Sequence, residues 1–177
     1  MTTKRLDLRT SFHLLAATLA LAAGSAQAVQ PLRQHDIVLL QKGEIIQQRV
    51  DGGAEAMGAY LKRLGSAEIE TMRAHPSQIP SSGFIVVAVR PGNQTHVWFD
   101  FKPALTDATM AALAHTVETT QAMPVKSGQI IFALRVSIWS DKPPQAVAPA
   151  PQAWKDASEG MTPKPDVDTL VDKVWPH

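Results

Sequence analysis

Two strand-forming runs around a proline–glycine turn constrain this chain more than any other feature. Phe84 to Arg90 (FIVVAVR) is a continuous apolar run rich in β-branched residues, which predicts a strand buried on both faces. Pro91 presets φ at the first central position of a turn, and Gly92 supplies positive φ at the second. Thr95 to Phe101 (THVWFDF) alternates. Thr95, Val97, Phe99 and Phe101 share one face, and His96, Trp98 and Asp100 share the other.

A third strand is equally legible. Gln129 to Trp139 (QIIFALRVSIW) would span about 36 Å at the usual rise. Ile130, Phe132, Leu134, Val136 and Ile138 face one way. Gln129, Ile131, Ala133, Arg135, Ser137 and Trp139 face the other. Between hairpin and strand, Thr106 or Asp107 caps a helix whose Met110, Leu113, Ala114 and Val117 form an apolar stripe. Pro124 and Gly128 bound the connection that follows. The core is expected under Val97, Phe99, Leu113, Val117, Ile130, Phe132 and Leu134.

Upstream, residues 36–50 (DIVLLQKGEIIQQRV) read as two strands around a Lys42-Gly43 turn. Asp51-Gly52-Gly53 breaks that run. Met57, Tyr60, Leu61 and Leu64 then predict a helix over 54–64 that Gly65 ends. Ser66 caps a further short helix with Ile69 and Met72, stopped before Pro76. The predicted class is α+β: a small antiparallel sheet in hairpin, helix, strand order, with helices packed on one face.

The two ends of the chain differ from this middle. Lys4, Arg5 and Arg9 precede the apolar run Leu14–Ala23, and Ala26-Gln27-Ala28 is a small-x-small cleavage box. The run is shorter than the roughly 20 residues a bilayer requires. Residues 1–28 therefore read as a secretory signal peptide, which predicts a periplasmic chain beginning at Val29. After Trp139, seven of the 13 prolines fall in residues 143–177. Residues 143–153 (PPQAVAPAPQA) read as an extended Pro/Ala-rich linker, which closes the domain at 142. In the tail, residues 154–177, Asp166 caps a helix with Val167, Leu170, Val171 and Val174 at i, i+3, i+4 and i+7, anchored by Trp175.

The chemistry-bearing residues form no recognisable signature. Without the leader, basic and acidic residues nearly balance, so no broad field for nucleic acid or anionic lipid exists. The chain has no cysteine, which removes disulfides, thiolate metal sites and lipid attachment at a lipobox cysteine. His35, His75, His96, His115 and His177 form no HxxxH, HExxH or HxH pairing. His96 and Asp100 lie about 13 Å apart on their strand, too far for acid–base coupling. No serine sits in a GxSxG elbow or an SxxK motif, and Gly52-Gly53 lacks the lysine of a phosphate loop. Met57, Met72 and Met110 fall on apolar helix faces as core. No catalytic residue, cofactor or metal is assigned.

Residues 75–139 resemble the carboxy-terminal domain of TonB-type energy transducers. The resemblance lies in the element order, in His75-Pro76, and in Pro124-Val125-Lys126-Ser127-Gly128 leading into QIIFALRVSI. It implies a three-stranded antiparallel sheet with helices on one side, and a partner segment that adds to the sheet edge. It also implies that the final strand lies at that edge. A TonB transducer keeps its membrane anchor and carries its proline-rich spacer ahead of the domain. Here the anchor reads as cleavable and the spacer follows.

The expected function is a non-enzymatic protein-binding or envelope-accessory module. Its partner surface would carry Trp98, Arg135, Ser137 and Trp139, since Trp and Arg are enriched at interface hot spots. The partner would be an envelope-associated protein or a second copy paired through the sheet edge. Alternatives are a small inhibitor or immunity-type protein that blocks an exported enzyme, and a hydrolase without a known motif. The amino-terminal hairpin or the tail covering the same face is the competing arrangement.

Overall fold

The computed structural model describes residues 29–176, so the expected leader lies outside the described residues. The elements are β1 (Leu32–Leu39), α1 (Gly43–Arg49), α2 (Gly53–Ala74), β2 (Ser81–Arg90) and β3 (Gln94–Lys102). They continue with α3 (Asp107–Thr119), β4 (Ile130–Ile138), α4 (Gln152–Ser158) and α5 (Val167–Val174). The four strands form one antiparallel sheet in the order β1-β4-β2-β3, an α+β fold as the sequence predicts.

The β2–β3 hairpin forms where its residues require it. Arg90 pairs with Gln94 across the turn, where Gly92 and Asn93 take φ of 80° and 61°. At the far end Gly83 lies so close to β3 that a Cβ would sit 2.2 Å from the Asp100 carbonyl oxygen. Thr106 caps α3, its hydroxyl accepting from the Thr109 amide at 3.2 Å.

Helices α1, α2 and α3 pack on one face of the sheet over the expected core. Ile130, Phe132, Leu134, Val97, Leu113 and Val117 are buried there, with Phe99 at the margin. Tyr60 of α2 meets Phe132 edge-on at 6.2 Å between ring centroids.

Four local expectations are corrected. Residues 43–49 are a helix rather than a strand: Ile46 and Val50, four apart, are both buried, and Glu44 and Arg49 suit the helix dipole at its two ends. Gly65 does not end a helix, because Met57, Tyr60, Leu64, Glu68 and Met72 form one buried stripe along all 22 residues of α2. A helical glycine costs only about 1 kcal/mol relative to alanine, less than that burial returns. Ser66 does not cap; its hydroxyl donates back to the Lys62 carbonyl at 3.0 Å.

The third correction concerns β4, which is internal rather than an edge. β1 pairs with it from Leu32↔Ile138 to Leu39↔Phe132, with a bulge at His35. Pairing through the β4 edge, to a partner or a second copy, is thereby closed. The sheet's open edges are β1 and β3. The fourth correction is small: α4 begins at Gln152, so the last two expected linker residues are helical.

Candidate functional site

The second face of the sheet is apolar and aromatic. Phe84, Val86 and Ala88 of β2, Trp98 of β3, and Ile131 and Ala133 of β4 form a buried cluster, with Val38 and Leu40 at its β1 margin. Strand alternation puts these residues opposite the α1–α3 core. Their cover is the carboxy-terminal tail: Trp154 from α4, and Val167, Leu170, Val171, Val174 and Trp175 from and just after α5.

The linker reaches this position across the sheet. The Arg135 guanidinium donates to the Pro144 carbonyl, and the Ala150 amide donates to Asp100 Oδ2 at 2.8 Å. Trp154 then stacks edge-on to Trp98 at 5.9 Å, and Trp175 approaches Trp98 at 6.3 Å and His96 at 5.8 Å. Asp166 caps α5 as expected, accepting from the Thr169 amide at 2.9 Å. That contact holds the Asp166 carboxyl below its ordinary pKa.

Polar contacts pin α5 at the hairpin end of the sheet. Asp168 Oδ1 accepts from Arg49 Nη1 at 2.9 Å and from Gln41 Nε2 at 2.8 Å. Asp172 Oδ1 accepts from Arg90 Nη2 at 2.6 Å, and the Arg90 guanidinium lies 3.8 Å above the Trp175 ring. Gln129 ties the two sites together: its Oε1 accepts from Arg90 Nε at 3.1 Å and its Nε2 donates to the Asp168 carbonyl at 2.9 Å. Gly128 makes room for Arg49, since a Cβ there would lie 2.9 Å from its Cζ.

The expected partner residues are therefore not an open surface. Trp98 is 7% exposed beneath the tail. Ser137 is fully buried in the β4 ladder, and Arg135 is half-buried beneath the linker. Trp139 leaves the group altogether. It adopts φ of 47° just past β4, which ends the alternation and turns its ring toward the α1–α3 core. Of the four, only Trp98 belongs to the aromatic cluster. Sequence reasoning missed Arg49, Arg90, Gln41, Gln129 and Trp154. The available signal was the Asp168/Asp172 pair at i, i+4 on the polar flank of the tail helix, which demands cations opposite.

The contact between His35 and Ser137 is the one to weigh for bond-breaking chemistry. His35 Nε2 lies 2.9 Å from Ser137 Oγ, a contact that by itself suggests a nucleophile and its base. But the Ser137 hydroxyl donates to the Ser140 carbonyl, so the imidazole nitrogen donates rather than accepts. Burial first, then Arg33 and Arg135, lower the His35 pKa. No group of three or more His, Asp or Glu is placed to hold a metal among the described residues. Among the same residues, no helix is long and apolar enough to cross a membrane.

Comparison of the chain with protein-family models, curated proteins and solved structures returned no match.

Proposed function

We propose that this chain is an exported, non-enzymatic protein-binding module, and that its binding surface is the aromatic sheet face that its own tail covers. The observation that carries the reading is the nature of the cover. Helices of seven and eight residues close the second face, tethered by a proline-rich linker and pinned by ion pairs that solvent reaches. Helices of that length are not stable on their own and owe their form to docking. A cover of this kind can leave and return while the sheet stays folded on its other face.

The leader-like residues 1–28 support the exported location. The strand, turn, strand, helix, strand order over residues 81–138 supports kinship with TonB-type domains as part of the same proposal. The chain's own β1 occupies the edge where that resemblance puts a partner segment. Binding at the face takes the place of binding at that edge.

Photocrosslinking from position 98, in the native envelope, tests the reading. Wild type and a Val171→Asp chain are compared. Adducts with another protein that rise in the variant, and that a peptide of residues 163–176 competes away, are the expected outcome. Crosslinks confined to the chain's own tail in both proteins set the reading aside.

A further inference from the structure

Resting on that reading, we propose that the face under the tail receives an amphipathic helix of another protein. That helix carries acidic residues at i and i+4 on one flank and an aromatic residue at its carboxy-terminal end.

The receiving surface has two parts. One is the apolar floor of Phe84, Val86, Ala88, Trp98, Ile131 and Ala133. The other is a polar border built from separate elements: Arg49 from the end of α1, Arg90 from the end of β2, with Gln41 and Gln129 beside them. The carboxylates that Arg49 and Arg90 meet among the described residues are Asp168 and Asp172, both from the tail. When the tail leaves, the two guanidiniums that Asp168 and Asp172 met remain beside an apolar floor. A helix with two acidic groups one turn apart meets both, and a basic helix sets like charges against them.

The tail displays the matching pattern. Val171 is fully buried against the floor, Leu170 and Val174 pack beside it, and Trp175 lies beneath Arg90. Yet the tail is an imperfect occupant. Trp154 Nε1 is buried with no acceptor, a donor that cost free energy to dehydrate. Tethering compensates, since a short linker holds the tail at an effective concentration in the millimolar range. A foreign helix with a better fit to the same chemistry displaces it.

The test uses the full chain, as wild type and with Val171→Asp to loosen the tail. The probes are two labelled peptides: residues 163–176, and the same segment with Asp168→Lys and Asp172→Lys. The acidic peptide is expected to bind the variant roughly tenfold more tightly than wild type, and roughly tenfold more tightly than the lysine peptide binds it. That preference collapses near 1 M salt, where screening acts within about 3 Å. Adding Arg49→Gln and Arg90→Gln to the variant abolishes it as well. Equal binding of the two peptides overturns the acidic code and leaves the protein-binding reading standing. No binding of either peptide to a variant that keeps its sheet signal and a cooperative melt overturns both. If Val171→Asp fails to fold, Trp175→Ala provides the loosened tail for the same measurements. A wild-type dimer that the acidic peptide converts to monomer assigns the face to a second copy and overturns the proposal.

Discussion

The two faces of the sheet are closed by different means. On one, α2 runs 22 residues and contributes Met57, Tyr60, Leu64 and Met72 to a core shared with α1 and α3. On the other, α4 and α5 together span fewer residues than α2 alone, and ionic contacts share the task with apolar ones. The first face includes segments from both sides of the hairpin in sequence, so it cannot open without losing the fold. The second is closed by a segment that follows the last strand, and the proposed function requires that segment to detach as a unit. On that proposal, closure of the first face is folding and closure of the second is docking. On the proposed function, exposing the docked face leaves the sheet held by its other face.

Phe132→Ala should separate the faces most sharply. It empties a fully buried position on the helix-covered face and should cost about 3–5 kcal/mol in denaturant unfolding. Val171→Asp, on the tail face, should lower the thermal midpoint far less while speeding amide exchange across residues 152–174. Equal drops in midpoint would make the molecule one cooperative unit and end the distinction.

Glu68 offers a pH test of the helix-covered face alone. Its carboxylate is fully buried with both oxygens unpaired, and burial pushes its pKa up to about 8. Nearby, the Tyr60 hydroxyl is buried beside Thr95, and burial first, then the Glu68 charge, raises the tyrosine's pKa. In the unfolded chain Glu68 loses its proton near pH 4.5, whereas the fold keeps it until about 8. Folding thus takes up a proton between those values. The stability it brings is full below the lower pH and is lost as pH rises through the upper one. The slope is on the order of 1 kcal/mol per pH unit. Glu68→Gln should flatten that profile, read by urea titrations across the window, and leave tail exchange unchanged.

Smaller effects belong to the tail. Asp168→Asn with Asp172→Asn should weaken α5 docking by about 1 kcal/mol, because solvent reaches both pairs. High salt should mimic the change in amide exchange of α5 without moving the main unfolding transition. Smallest is Gly65→Ala, which should raise stability by about 0.5–1 kcal/mol, since its Cβ would meet Gln34 Oε1 at an ordinary 3.5 Å. That gain should appear in the thermal midpoint and not in tail exchange.

Much of this fold is legible in the sequence. The sequence by itself determined the hairpin, the capped α3, the two-sided alternation of β3 and β4, and the amphipathic α5. Each rests on local chemistry: a turn glycine, a capping hydroxyl, a side-chain period of two or 3.6. The run 43–50 reads as a strand because Ile45-Ile46 suits either a strand or a helix, and only the burial of Ile46 with Val50 decides for the helix. The local signal at Gly65 says stop, while the stripe from Leu64 to Met72 is satisfied only against the sheet. Tertiary structure alone decided that β1 would flank β4, that Trp139 would turn away, and that Trp98 would lie beneath Trp154 and Trp175. These are pairings between segments distant in sequence. They are set by which exposed edge or apolar face finds a cover of matching shape and charge, and no local period records that choice.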